Sequence, residues 1–419
     1  MKFSDRVVKF EFAGVPMVGN LANGYSIGLS ENGNKLCSRL FNEDLDENTI
    51  VAADSLLAKH LIEGGFFDEF GELTSLQAAY LHITQRCNLD CAGCYSYNAT
   101  RNKQEDPSLN MLINAVKELS SCGVKSLIIS GGEPFLRKDL AELVAYAKTQ
   151  CHIQSITVAT NGTILDVDLL RRIRPYVDIV SVSFDGSSNT SPAHIRGKQR
   201  FDQLIELIEA MQYLDIETQI LPTLHGKNLD EMQAYHELAK RFDVRLSYSL
   251  LSGSPFNKEI TNLLPDEEAL ACLGEQTFVQ GIQNNVLVQD APISMNLSVC
   301  SSCGAGKEMI SIASDGSVYP CHMMHDEDFL FGNVFLKPLS SILAEVFVKD
   351  FLHNMSTNDE KCNNCSYALF CGGGCKARSY MTNKKLNSCD PYCTMFKAFY
   401  RNYEGYLVEQ MNQRQRKED

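Results

Sequence analysis

Residues 80–98 read YLHITQRCNLDCAGCYSYN. The opening YLHIT is short, apolar and β-prone, which predicts a buried strand, and the polar loop behind it carries Cys87, Cys91 and Cys94. Five runs of the same kind follow: SLIIS (126–130), SITVAT (155–160), DIVSVSF (178–184), ETQILPT (217–223) and RLSYSL (245–250), each separated from the next by an amphipathic stretch. Six βα units predict parallel strands with right-handed crossovers, hence a full or partial α/β barrel with its chemistry at the C-terminal strand ends. The polar motifs sit at those ends: LHIT leads into Cys87, LIIS into Gly131, TVAT into Asn161 and VSVSF into Asp185.

The flanks have another character. Residues 1–76 hold short alternating runs such as GYSIGLS, Asn-Gly turns at Asn23–Gly24 and Asn32–Gly33, and the helical stretch VAADSLLAKHLIEGG (51–65), which together predict a small separate α+β module. The barrel is expected over 77–290. Over 291–419 the periodicity gives way to loops rich in Cys and Gly, with helices expected near Leu339–Asp350 and from about Met395. Loops that dense in cysteine need metal to fold.

Composition narrows the function. The formal charge of −14 over 419 residues argues against a nucleic-acid partner, which selects a basic face. No apolar run reaches the roughly 18 residues that span a bilayer, and MKFSDRVVKFEF has no signal core, so no membrane partner and a cytoplasmic location are expected. Sixteen cysteines in such a chain point to metal ligands before disulfides. Cys37, Cys122, Cys151 and Cys272 fall in strand or helix patterns and are expected to be buried, inert thiols.

Three thiols at Cys-x3-Cys-x2-Cys leave one iron of a four-iron cluster without a protein ligand. A zinc loop is the alternative, but zinc wants a fourth Cys or His close by and none follows at once. The loop QRCNLDCAGCYSYN resembles the defining loop of radical S-adenosylmethionine (SAM) enzymes. The resemblance implies a cluster on Cys87, Cys91 and Cys94 whose open iron chelates SAM, with Tyr95 against the adenine. One-electron cleavage there yields a 5′-deoxyadenosyl radical, chemistry that belongs to the cofactor and that the protein positions. Ser130-Gly131-Gly132-Glu133-Pro134 matches the family's Gly-Gly-Glu motif, in which the glycines are expected to let backbone approach a ligand and Glu133 to accept from the methionine ammonium. Asn161, Ser183 and Asp185 resemble family positions near the ribose and methionine carboxylate, and Arg196 is expected to grip that carboxylate, His194 being structural.

Further along, Cys303-x12-Gly316-x4-Cys321, Cys362-x2-Cys365-x5-Cys371-x3-Cys375 and Cys393 resemble the seven-cysteine SPASM signature. That resemblance implies two auxiliary [4Fe–4S] clusters, making three in all: one on Cys300, Cys303, Cys321 and Cys375, the other on Cys362, Cys365, Cys371 and Cys393. Cys300 lies outside the signature, and Cys389 is an alternative to Cys393. Two zinc sites are the competing reading, since Cys-x2-Cys is also a zinc spacing. His322 and His325 are expected near the first auxiliary group, as satisfied structural histidines.

SPASM enzymes chiefly modify peptides, and the N-terminal module resembles the small winged-helix domain that captures the leader of a ribosomally made precursor peptide as an added strand. The expectation is a peptide maturase that removes a hydrogen atom and forms a cross-link, a cysteine thioether first, with carbon–carbon or carbon–oxygen linkage next. Formylglycine-forming sulfatase maturation and a non-catalytic iron–sulfur electron carrier are the alternatives. An electron donor such as flavodoxin or ferredoxin is the expected second partner.

Overall fold

The computed structural model describes residues 1–68, 76–254, 257–353, 355 and 359–418. Residues 69–75, the end of the expected N-terminal segment, lie outside the described residues. The six expected strands all form: β4 (Ala78–His82), β5 (Ser126–Ser130), β6 (Ser155–Thr160), β7 (Ile179–Phe184), β8 (Thr218–Leu224) and β9 (Arg245–Leu250), following β1 (Val7–Phe12), β2 (Val15–Asn20) and β3 (Ser26–Gly28) of the N-terminal module. β4 to β9 pair in sequence order and in parallel. Leu81, Ile129, Val158, Val182 and Ile220 are fully buried against the crossover helices, the burial that favours parallel sheets.

Two additions were not legible in advance. β10 (Leu287–Val288) extends the sheet beyond β9 in parallel, and β11 (Met309–Ile312) pairs in parallel with β4. β12 (Ser317–Tyr319) and β13 (Gly332–Asn333) then add antiparallel, giving ten strands in the order β10-β9-β8-β7-β6-β5-β4-β11-β12-β13. The cysteine-rich region is therefore stitched into the sheet beside the strand that launches the Cys87 loop.

The N-terminal module is a three-stranded antiparallel sheet, β1-β2-β3, with three helices, Glu31–Leu40, Glu47–Ala53 and Ser55–Glu63. It has its own core, including Val18, Leu36, Leu40, Ile50 and Leu61. The Asn23–Gly24 turn forms, but Asn32–Gly33 lies inside the first helix. Ser30 caps that helix by accepting from Gly33 N–H, which settles a helix start where the dipeptide alone suggested a turn. The single helix expected over 51–65 is two, because the extended backbone of Asp54 ends one and its side chain caps the next by accepting from Leu57 N–H. The helix expected near Leu339–Asp350 is likewise two, Leu339–Leu343 and Val346–His353.

Phe12 and Met17 of the module pack with Val299, Phe370 and Tyr400 into a second core shared with the C-terminal region. The helix Cys393–Glu418 lies along Glu267–Asn284, and a Cβ on Gly274 would stand 2.2 Å from Met395 O. Cys37 is buried as expected, whereas Cys272 is exposed on the helix Glu267–Asn284, and Cys122 and Cys151 are half-buried because they stand just past the C-terminal ends of the helices Leu109–Ser121 and Leu140–Thr149. Among the described residues no helix is long and apolar enough to cross a membrane.

Gly274→Val is expected to force these two helices apart and cost about 1–3 kcal/mol; a thermal unfolding midpoint lowered by several degrees checks it, and an unchanged midpoint contradicts the contact.

Candidate active site and cysteine clusters

The Cys87–Cys94 loop is laced to the turn after β5. Gly132 N–H donates to Thr84 O and Glu133 N–H to Arg86 O, both at 2.8 Å. A Cβ on Gly132 would meet Arg86 O at 2.1 Å, and one on Gly131, at φ +136°, would meet Thr84 O at 2.4 Å. What these glycines make room for is thus the backbone leading into the cysteine loop. Glu133 differs from expectation. It is fully buried, its Oε1 accepting from Phe135 N–H (3.0 Å) and Thr160 Oγ1 (2.8 Å) and its Oε2 from Asn161 N–H (2.7 Å). Burial pushes its carboxyl up while these donors pull it down, and both oxygens are engaged with the protein, tying β5 to β6 instead of facing a ligand.

Asn161 turns its amide to the same loop, donating to Asn88 Oδ1 (2.9 Å) with Cys87 Sγ 3.8 Å away. Asp185 is also spent internally: its Oδ2 accepts from Ile195 (3.1 Å) and Arg196 (2.8 Å) backbone N–H groups, and Ile195 O in turn accepts from Ala92 N–H within the cysteine loop. Asp185 therefore holds the Arg196 segment against the loop. Arg196 lies near enough to Cys91 to pull its thiol down, though burial dominates and pushes it to about 11. The Arg196 Nε is buried without a partner among the described residues, a donor open to an anion. Ser183 is half-buried at the end of β7. The Tyr95 hydroxyl bonds Ser130 Oγ at 2.8 Å. His194 packs edge-on against His225.

Arg101, absent from the sequence reading, completes this group. Only 8% exposed, it donates to Cys94 Sγ (3.3 Å) and Ser96 Oγ (2.8 Å), while its Nε and Nη1 have no partner among the described residues. A buried cation with unspent donors beside three thiols fits an anionic thiolate cluster.

The C-terminal cysteines form two neighbourhoods. Cys321 is buried with its thiol well above the ordinary range, first through burial and then through the nearby thiols of Cys375 and Cys303. Cys300 adjoins Cys303, and its Sγ contacts Phe370 O at 3.3 Å. The second neighbourhood is a small pocket lined by five cysteines, Cys362, Cys365, Cys371, Cys389 and Cys393. Cys389 interacts with both Cys362 and Cys393, so both candidates for the fourth ligand reach the same space. Cys393 is drawn down to about 7, chiefly by Cys389, with Lys397 assisting at the start of its helix.

Lys376 and Arg378, fully buried, stand between the neighbourhoods, with Lys376 near Cys303, Cys362 and Cys371. The run Cys375-Lys376-Ala377-Arg378 was the available signal, basic residues inside a cysteine-rich turn. These cations, and thiols that burial keeps protonated until a metal replaces the protons, fit iron–sulfur clusters at both places. Between the first neighbourhood and the Cys87 loop lies a larger cavity open to solvent, lined among others by Cys94, Tyr95, Met323, His325, Tyr380 and Lys384.

Two outcomes follow from this geometry. Cys389→Ala and Cys393→Ala are each expected to retain a full iron complement after anaerobic reconstitution, whereas the double variant loses about four irons per chain; loss from one single variant alone would assign that cysteine as sole ligand. Arg101→Gln is expected to lower the reduction potential of the Cys87–Cys94 cluster, by removing a buried positive charge, in a spectroelectrochemical titration, with no shift if the guanidinium is merely structural.

Residues 81–239 match the model of the radical SAM superfamily, and residues 303–366 match SPASM, an iron–sulfur cluster-binding domain. The mycofactocin maturase MftC of Mycolicibacterium smegmatis is 27% identical over 74% of this chain and 81% of its own. The AdoMet-dependent heme synthase of Methanosarcina barkeri is 27% identical over 74% of this chain and 94% of its own. In fold, the chain resembles native anSMEcpe with bound AdoMet, at TM-score 0.67 and 19% identity over 80% of this chain and 99% of that one. It also resembles Streptococcus suis SuiB bound to the precursor peptide SuiA, at TM-score 0.61 and 17% identity over 94% and 99%. The SuiB match is too extensive to leave out the whole N-terminal module. With the cysteine loop, the sheet and both C-terminal neighbourhoods in agreement, this chain carries a radical SAM domain and a SPASM domain, as an enzyme whose cofactors are SAM and iron–sulfur clusters.

Proposed function

We propose that this enzyme is a peptide maturase that recognises a ribosomally made precursor through its N-terminal module and forms an intrapeptide cross-link, a cysteine thioether in the first instance. The observation that carries this reading is the module itself. Among the described residues β3 pairs in the sheet with β2 alone, which makes it an edge strand to which a further strand can add past the Leu297–Val299 contact at its start. Large apolar side chains of the module are exposed, Tyr25 before β3 and Val51, Leu56 and Ile62 on the helices, the kind of side chain that takes the apolar face of a peptide. The related fold of SuiB was solved with its precursor peptide, and MftC is named a maturase, which supports the same class of substrate here.

In this reading Cys87, Cys91 and Cys94 hold the SAM-binding cluster, with Arg101 balancing its charge. Tyr95, Ser183, Asn161 and Arg196 border SAM. Gly131, Gly132, Glu133 and Asp185 fix the loops that carry those groups. Bound there and reduced through a flavodoxin or ferredoxin, SAM supplies a 5′-deoxyadenosyl radical. The chain's own part is to hold the peptide in the cavity between Tyr95 and His325 and to keep water out. Auxiliary clusters on the two C-terminal neighbourhoods suit a net oxidation, because a carbon radical that bonds to sulfur must shed an electron. The heme synthase relative suggests a tetrapyrrole instead, but that reading gives the N-terminal module no task.

The test is anaerobic incubation of reconstituted enzyme, SAM and reductant with the short peptide encoded beside the gene, followed by tandem mass spectrometry before and after thiol alkylation. The expected product has lost two hydrogens and one alkylatable thiol. Loss of two hydrogens with every thiol still alkylatable would replace the thioether by a carbon–carbon or carbon–oxygen link, and an unmodified peptide beside abundant deoxyadenosine would reject this substrate.

A further inference from the structure

Three histidines, of which His322 and His325 were expected to be satisfied structural residues, converge on the wall of the large cavity. His82 ends β4, and His322 and His325 follow Cys321. His82 is fully buried, and neither of its ring nitrogens has a partner among the described residues; the same holds for His322 Nδ1. Their rings are stacked into one group with tyrosines. Tyr80 stacks on His322 at 4.0 Å, His82 meets His325 at 4.6 Å, Tyr319 stacks on His325 at 4.6 Å, and Tyr95 meets His322 edge-on at 5.0 Å.

His325 is the member of this group that lines the cavity, together with Cys94 and Tyr95 of the SAM loop. Ser311, buried on β11, shares a 2.7 Å hydrogen bond with its Nε2. With Nε2–H donating to that hydroxyl, Nδ1 carries the lone pair and is left free of protein partners among the described residues. Burial keeps the ring neutral by drawing it down to about 4, with Asp315 pulling weakly the other way. The groups facing it are the His82 and Tyr319 rings, the Ser311 hydroxyl and, along its own segment, His322 and Asp326.

We propose that His325 is the proton acceptor of the cross-linking step, a role that rests on the peptide reading above. The balance is simple for a thioether. The substrate carbon gives a hydrogen atom to the deoxyadenosyl group, the carbon–sulfur bond forms as the sulfur–hydrogen bond breaks, the proton goes to His325 Nδ1 and the remaining electron goes to an auxiliary iron–sulfur cluster. His82 and His322 are positioning residues that hold the ring toward the cavity, and Ser311 fixes its orientation.

The experiment compares His325→Gln and His325→Gly with the unaltered enzyme, each reconstituted to the same iron content, on the precursor peptide encoded beside the gene. Deoxyadenosine formation is expected within about threefold of the unaltered enzyme, while cross-linked peptide falls about 100-fold or more, and added imidazole restores product to His325→Gly. Product per deoxyadenosine equal to that of the unaltered enzyme in both variants would overturn the proposal. If the unaltered enzyme leaves the peptide unmodified, the substrate reading has failed, and carbethoxylation of the holoenzyme with diethyl pyrocarbonate decides the histidine separately. Labelling of His325, with His82 and His322 unlabelled, supports a free nitrogen facing the cavity; an unlabelled His325 overturns it.

Discussion

The buried pair Asp390–Arg378 joins the three parts of the catalytic body. The Asp390 carboxylate accepts from Cys375 N–H (2.6 Å), Tyr392 N–H (2.8 Å) and the Arg378 guanidinium (2.9 Å). Gly374, at φ +78°, leaves the room, since a Cβ there would stand 2.3 Å from Asp390 Cβ. Arg378 reaches onward to Asp290 O at 2.7 Å, and the Asp290 carboxylate accepts from Leu250 N–H at the end of β9. One ion pair thus fixes a turn of each cysteine neighbourhood relative to the last barrel strand. Removing Arg378 would leave the buried Asp390 carboxylate without its ion-pair partner, a loss of about 3–5 kcal/mol.

The same logic runs through the site as a whole. Burial makes thiolates expensive, and Cys91, Cys300 and Cys375 are all pushed up by it, to about 11, 11 and 12. Buried cations oppose that cost: Arg101 at the first loop, Lys376 and Arg378 between the C-terminal groups. Metal binding then completes what the cations begin, so that assembling the clusters and folding the loops are one process. Placing β11 beside β4 puts the Cys321 segment next to the strand that carries the Cys87 loop, so the two ends of the chemistry share one wall.

Local signals carried the sequence reading far. Strand period and β-prone composition located β4 to β9, cysteine spacing marked the Cys87 loop, and the resemblance to the SPASM signature implied the two C-terminal groups. What could not be read was set by partners distant in sequence. The pairing of β11 with β4 bridges more than 200 residues and leaves no local trace. Glu133 and Asp185 carry the expected motif chemistry, yet tertiary neighbours such as Thr160 and Ile195 decide that their oxygens face inward. Arg101 and Asp390 look like ordinary charged loop residues until burial gives them a role. Where two local signals competed, at Asn32–Gly33, the Ser30 cap won over the turn dipeptide.

The central claim, that one SAM-binding cluster and two auxiliary clusters occupy separate cysteine groups, is tested most directly by Mössbauer spectroscopy with metal analysis of the unaltered enzyme and of the Cys87→Ala, Cys91→Ala, Cys94→Ala triple variant. The account predicts about twelve irons per chain falling to about eight, with SAM perturbing only the spectrum of the unaltered enzyme. Zinc in place of iron at the C-terminal cysteines, or an iron content and SAM response unaltered in the triple variant, would contradict it.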